Sequence, residues 1–207
     1  MYSRVYIEIT NICNMRCSFC HGHSRKLGRM DEGQFQRVLE QLTGKTSYIY
    51  YHLMGEPLTH PQLTQFLEMA GSRGFRSVIT TNGTLLDKRG EEILAAGVHK
   101  VSISLHSFEE ADDRAFQAYL QKATDFADTA SGAGTIVVFR LWNRGCDSGR
   151  NGMALEYLRS RLEGPWAENT RGYRIRDRLI GQFKFKFGHH TFQFHINRRH
   201  ILSYRDF

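Results

Sequence analysis

The sequence predicts an α/β fold built on a parallel sheet, and three observations predict it. From residue 4 to about residue 162, short runs rich in Val, Ile, Tyr and Phe alternate with amphipathic stretches. That alternation is strict, which calls for right-handed crossovers with helices packed on the faces of the sheet. The residues able to do chemistry collect just after the strands, at the end where α/β sheets hold their ligands. A partial or complete barrel and a doubly wound sheet both satisfy these observations.

Strands are expected over residues 4–10, 47–53, 76–81, 100–105 and 135–141, each rich in β-branched and aromatic side chains. Helices are expected over 31–42, 61–74, 87–97, 114–131 and 152–162. In the fourth of these, Phe116, Tyr119, Leu120, Ala123 and Phe126 recur at spacings of three and four. Asp31 and Asp87 are placed to cap helix N-termini, and Gly74 and Gly97 follow the last periodic residues of theirs. After the strands come a cysteine loop, then Gly55-Glu56-Pro57, then Thr81-Asn82-Gly83, then Ser104 and His106, and finally Arg140.

Composition bounds the class. The 207 residues are 41% hydrophobic with 3 Pro, which suits one or two globular units and excludes a disordered chain. No run of about 18 uncharged apolar residues occurs, and Arg4 and Glu8 stand where a signal peptide needs an apolar core. A cytoplasmic protein without membrane contact is the expectation. The net charge of +7 is confined to one end: residues 1–170 hold 19 Lys and Arg against 19 Asp and Glu, residues 171–207 hold 9 against 2.

Three of the 4 cysteines, Cys13, Cys17 and Cys20, fall within eight residues at the spacing C-x3-C-x2-C. Such a cluster outside a secretory context points to metal or redox chemistry more than to disulfides. Three thiolates on one loop leave a fourth metal position open, unlike a closed four-ligand zinc or iron-sulfur site. His21 or His23 could instead complete a Cys3His zinc site.

This loop, C-x3-C-x-aromatic-C directly after a first strand with Phe19 at the aromatic position, resembles the cluster loop of the radical S-adenosylmethionine (radical SAM) superfamily. The resemblance implies a partial (β/α)6 TIM-like barrel in which Cys13, Cys17 and Cys20 hold three irons of a [4Fe-4S] cluster and S-adenosylmethionine chelates the fourth. It further implies reductive cleavage of S-adenosylmethionine to a 5'-deoxyadenosyl radical that abstracts hydrogen from a substrate. Leu53-Met54-Gly55-Glu56-Pro57 resembles the family's Gly-Gly-Glu-Pro turn, with Met54 in place of the first Gly. Glu56 there offers an acceptor to the ammonium of S-adenosylmethionine, Gly55 allows close backbone approach, and Pro57 stiffens the turn. Asn82 in Thr80-Thr81-Asn82-Gly83 and Ser104 in Ser102-Ile103-Ser104 match positions that reach the same ligand, although Asn-Gly is also a common turn. Arg140 would face the ligand's carboxylate or an acidic substrate. A reductant such as flavodoxin or ferredoxin is the implied electron donor, and a peptide or protein is one implied class of substrate.

The resemblance covers about residues 5–160, and residues 142–145 are similar to members with a SPASM-type extension. No cysteine follows Cys146, so auxiliary clusters of that kind are not expected, and Cys146 itself stays unassigned. Residues 1–170 therefore read as the core domain. Residues 171–207, with 6 of the 14 Phe and 4 of the 10 His, read as a basic aromatic β-hairpin or a non-native tail. The hairpin alternates apolar and polar residues over 182–188 and 191–196. A tail foreign to the fold is preferred over a nucleic-acid flap, and four histidines without paired spacing make a weak metal site. The competing function is a truncated, catalytically silent remnant that binds metal or nucleic acid.

Overall fold

The computed structural model describes residues 2–108, 112–141 and 150–161, together with the backbone of three strands over 169–175, 178–187 and 190–196. Five strands, β1 (Val5–Tyr6), β2 (Tyr48–Tyr51), β3 (Arg76–Thr81), β4 (Lys100–Ser104) and β5 (Ile136–Arg140), form one sheet in the order β1-β2-β3-β4-β5, every pair parallel. The sequential order decides between the two architectures left open by the sequence. A doubly wound sheet reverses its strand order at a switch point, whereas successive crossovers that all step the same way put every helix on one face and curl the sheet toward a barrel.

Burial shows which face that is. Ile49, Tyr51, Ile79, Val101, Ile103, Val137 and Phe139 are fully enclosed and pack with helix residues such as Phe35, Phe66, Phe116 and Leu120. Phe35 stacks on Phe66 at 4.2 Å between ring centres, and Tyr51 closes on Phe35 at 5.9 Å. By the two-residue period of a strand, the opposite face carries Tyr50, His52, Thr80, Lys100, Ser102, Ser104 and Arg140. The inner wall of the partial barrel is therefore mixed, with Val78, Ile136 and Val138 among these polar residues, and its outer wall is the core.

The helices are α1 (Glu32–Leu42), α2 (Leu63–Gly71), α3 (Leu86–Ala95), α4 (Asp113–Gly132) and α5 (Arg150–Arg161). Asp31 caps α1 through a reciprocal pair with Gln34, as expected, and Asp112 caps α4. Asp87 does not cap α3. The side chain of Asn82 accepts the Thr84 N–H and turns the chain early, so the helix begins with Leu85 as its cap, and Asp87 lies in the first turn paired with Lys122 at 2.7 Å. The second helix, by contrast, starts later than expected, because Pro57–Thr59 form a separate short 3-10 turn and Gln62 N–H binds His60 Nδ1.

The first strand is much shorter than residues 4–10. Beyond Ile7, whose N–H still donates to Tyr50 O, the backbone turns to the returning segment instead: Met30 N–H donates to Ile9 O and Asn11 N–H to Gly28 O. Residues 9–11 thus serve the cysteine loop rather than the sheet. At the other end, β6 (Asn169–Ile175), β7 (Arg178–Phe187) and β8 (His190–Ile196) form a separate antiparallel sheet in that order. The expected hairpin is the β7-β8 pair. Its backbone runs beside β5 without adding a parallel strand to the five. Trp142, Asn143, Arg144, Gly145, Cys146, His189 and His200 lie outside the described residues.

Candidate active site at the strand ends

The turns after β1, β2 and β3 are bolted together at the C-terminal rim. Gly55 adopts φ +81°, and a Cβ at that position would sit 2.5 Å from Thr10 O and 2.9 Å from Asn11 C. Only glycine lets the second turn lie against the base of the cysteine loop. From that contact Glu56 N–H donates to Ile12 O at 2.9 Å, and Thr59 Oγ1 donates to the same carbonyl at 3.2 Å.

Glu56 is almost wholly buried and its carboxylate points into the protein. Its Oε1 accepts from Thr81 Oγ1 at 2.7 Å and from Leu58 N–H at 3.1 Å, and its Oε2 accepts from Asn82 N–H at 2.7 Å. Burial raises the Glu56 pKa, and the three donors oppose that shift without cancelling it. The expectation that Glu56 offers its carboxylate to an ammonium therefore needs adjusting. In this structure the oxygens are taken up by protein donors that fix the second and third turns to each other.

Asn82 then reaches the cysteine loop. Its Nδ2 donates to Asn14 Oδ1 at 2.9 Å, Asn14 Nδ2 donates to Thr84 Oγ1 at 2.8 Å, and Thr84 Oγ1 donates to Asn82 Oδ1 at 2.7 Å, a closed ring of three hydrogen bonds. Cys13 Sγ lies 4.0 Å from Asn82 Nδ2 and accepts from Met15 N–H at 3.4 Å. Below Asn82, buried Tyr119 donates to its carbonyl at 2.7 Å. Asn14 and Thr84 were assigned no role by the sequence reading, and their ring depends on a fold that brings two turns together.

No disulfide joins the three cysteines. Cys13 and Cys20 are exposed and Cys17 is half-buried, its sulfur 3.6 Å from Ser107 O. Cys20 N–H donates to Cys17 O in a tight turn that sends Phe19 onto His106, with ring centres 5.1 Å apart. Partial desolvation of its sulfur pushes the Cys13 thiol up; the Met15 hydrogen bond opposes this, and Glu56 and Cys20 add to it. Among the described residues no three metal-ligating side chains are gathered at coordination distance. The donor set fits a cluster with one open corner, since three accessible thiols share one loop. Of the two histidines that could complete a zinc site, His23 has its Nε2 2.9 Å from Asn11 O.

A sequence model of the radical SAM superfamily matches residues 7–142. This chain belongs to the radical SAM superfamily. Members of the superfamily use a [4Fe-4S] cluster and S-adenosylmethionine. The tungsten-containing aldehyde ferredoxin oxidoreductase cofactor-modifying protein of Pyrococcus furiosus is 36% identical over 107 residues, which cover 49% of this chain and 30% of that protein. The GTP 3',8-cyclase of Chlorobaculum tepidum is 30% identical over 109 residues, 51% of this chain and 33% of the cyclase. Each match spans about a third of the curated relative. Among solved structures, BtrN in complex with AdoMet and 2-DOIA superposes with a TM-score of 0.55 at 24% identity, over 74% of this chain and 62% of BtrN. That likeness supports the α/β partial-barrel fold.

The remaining candidate residues stand on the rim or the inner wall. Ser104 is buried at the end of β4, in register with Arg140. The Arg140 carbonyl lies 3.3 Å from His106 Nδ1, and burial lowers the pKa of its guanidinium. The cysteine loop, Gly55-Glu56-Pro57, Asn82, Ser104 and Arg140 thus come to one end of the sheet. His52 was read only as part of an aromatic strand. The period of two, running Tyr48, Tyr50, His52, was the signal that it shares the inner wall.

Proposed function

We propose that this chain is a radical SAM enzyme domain in which Cys13, Cys17 and Cys20 hold a [4Fe-4S] cluster and the rim residues hold S-adenosylmethionine. The observation that carries this reading is the bolted rim: three thiols on a loop whose base, Gly55, Glu56 and Asn82 jointly fix, at the ligand-binding end of the family's fold. When bound, the cluster and S-adenosylmethionine supply a 5'-deoxyadenosyl radical for hydrogen abstraction.

The chain's own residues prepare the place. Asn82 orients the first thiol through Asn14. The Gly55-Glu56-Pro57 backbone lies against the base of the loop, leaving main-chain carbonyls rather than the Glu56 carboxylate as acceptors for an ammonium. Phe19 rests on His106 and ties the loop to the end of β4. Ser104 supplies a hydroxyl for the ribose or carboxylate, and Arg140 supplies a cation at the same level. Residues 1–170 carry all of this, and residues 171–207 are assigned no part in it. A one-electron donor such as flavodoxin or ferredoxin and a substrate, with a peptide or protein as one class, complete the reaction in the cytoplasm.

The test is anaerobic reconstitution with iron and sulfide, then reduction in the presence of S-adenosylmethionine. About four irons and four sulfides per chain with formation of 5'-deoxyadenosine are expected. Alanine at any of Cys13, Cys17 or Cys20 should remove both the cluster and the product. A folded protein that takes up zinc but no sulfide, or a loaded cluster that leaves S-adenosylmethionine intact, would sink the reading.

A further inference from the structure

Glu8 stands where three segments of the rim meet. It follows Ile7, at the start of the arm that leads from the sheet into the cysteine loop. Arg25 Nη1 lies 2.6 Å from its Oε1, Arg25 Nη2 donates to its Oε2 at 3.0 Å, and Oε2 also accepts from Met54 N–H at 3.2 Å. Arg25 belongs to the arm that returns from the loop, five residues after Cys20, and Met54 opens the turn that continues into Gly55 and Glu56. One carboxylate therefore joins both arms of the thiol loop to the second turn.

The other fastenings described here each join two of these segments. Asn11 Nδ2 donates to Lys26 O at 2.9 Å and Asn11 Oδ1 accepts from Gly28 N–H at 2.8 Å, which ties the loop's own arms together. Glu56 N–H and Thr59 Oγ1 both donate to Ile12 O, which ties the second turn to the leading arm. His60 Nε2, 2.9 Å from Met30 O, ties the second turn to the returning arm, but at a point ten residues beyond Cys20. The link through Glu8 lies half as far along the chain from that last thiol.

An exposed ion pair contributes little, and this pair is of another kind. Arg25 engages both carboxylate oxygens, the arrangement in which charge-assisted hydrogen bonds are strong and directional. The Glu8 side chain is only 16% exposed, and a main-chain donor shares it. Burial acts to raise the Glu8 pKa, but Arg25, the Met54 N–H and His23 together outweigh burial and hold it below the usual carboxylate range.

We propose that Glu8 is a positioning residue of the site: its carboxylate fixes the returning arm of the cysteine loop to the turn that holds S-adenosylmethionine, so that retention of the cluster and affinity for S-adenosylmethionine depend on one group. This inference rests on the radical SAM reading. Arg25 carries the cluster side of the link and the Met54 N–H carries the S-adenosylmethionine side, so the two effects are separable.

The test uses the full chain, reconstituted anaerobically. Iron loss to the chelator ferrozine is timed without S-adenosylmethionine, and S-adenosylmethionine binding is titrated through the change it makes in the EPR spectrum of the reduced cluster. Glu8→Gln, which loses the charge and the fork, should speed iron loss about tenfold and weaken S-adenosylmethionine binding about tenfold. Arg25→Gln leaves the Glu8 carboxylate to accept from Met54, so it should speed iron loss to a similar degree and weaken S-adenosylmethionine binding by about threefold or less. Arg25 is more than half exposed, so its variant keeps the test open if Glu8→Gln does not fold. Arg16→Gln, which removes another cation of the loop, should change neither reading. Iron loss and binding that match wild type in both the Glu8 and Arg25 variants, or equal effects from Arg16→Gln, would overturn the proposal while leaving the radical SAM reading intact. Wild-type protein that takes up no iron-sulfur cluster would defeat that reading and the proposal with it.

Discussion

Glu56 shows how one side chain can be structural and still govern a reactive rim. Glu56→Ala strands three buried donors, each worth on the order of 1 kcal/mol or more when orphaned, so unfolding in urea should show a loss of about 3 kcal/mol together with lower iron uptake. His52 makes the second residue-level prediction. Its pKa in the folded chain is about 4, below the usual 6.5, so between those values the unfolded chain binds the proton and the folded chain does not. Stability is therefore fully present above about pH 6.5 and lost as pH falls toward 4, by up to about 3 kcal/mol. His60 and His99 are shifted the same way by burial and add to this. Thermal unfolding followed from pH 7 to pH 4 should show the decline, and His52→Asn should reduce its slope. The sequence made Cys13, Cys17, Cys20, Glu56 and Asn82 visible because their spacing is local. It did not show that Glu56 turns inward or that Asn14 and Thr84 close a ring, since the first depends on contacts 25 and 26 positions apart and the second on contacts 68 and 70 positions apart.

At the scale of elements, the strands and helices follow the periodicity of their side chains, and the misplaced boundaries share one cause. Residues 7–11 carry the Ile-x-Ile alternation of a strand, yet the sheet releases them at Tyr6 because Ile9 and Asn11 pair with Met30 and Gly28. The start of α3 moved because Asn82 and Thr84 shape the preceding turn. In each case a hydrogen bond made at a turn of the site, long-range for the first strand and between near neighbours for α3, overrode the periodicity of the side chains. Gly55→Ala tests this coupling between turns. A methyl at φ +81° and 2.5 Å from Thr10 O forces the second turn off the cysteine loop. A destabilisation of several kcal/mol is expected from strain of that kind, read by urea unfolding, with cluster loading reduced even at temperatures where the chain stays folded.

For the whole molecule, the charge asymmetry and the architecture coincide. The described core extends from Ile7 to Leu158, the span in which basic and acidic residues balance, and the basic excess lies beyond it. A chain ending at residue 168 should therefore still take up iron and sulfide to the level of the full chain, measured per folded molecule by circular dichroism and iron assay. No helix among the described residues is long and apolar enough to cross a membrane. The strand order was not legible in the sequence, because alternation of elements is common to barrels and doubly wound sheets. Only the pairing of β1 through β5 in sequence order distinguishes them.

The ring of Asn82, Asn14 and Thr84 also sets a sequence of events. Its partners are separated by 68 positions along the chain, so the entropy of closing that loop must be met before the ring can form. Until β3 has docked, the thiol loop is held at its base by Gly28 and Glu56 but not at its first cysteine. Metal delivered early meets scattered ligands, while metal delivered late meets a loop already anchored at its first cysteine. The topology thereby ties the anchoring of the first cysteine to completion of the scaffold around it.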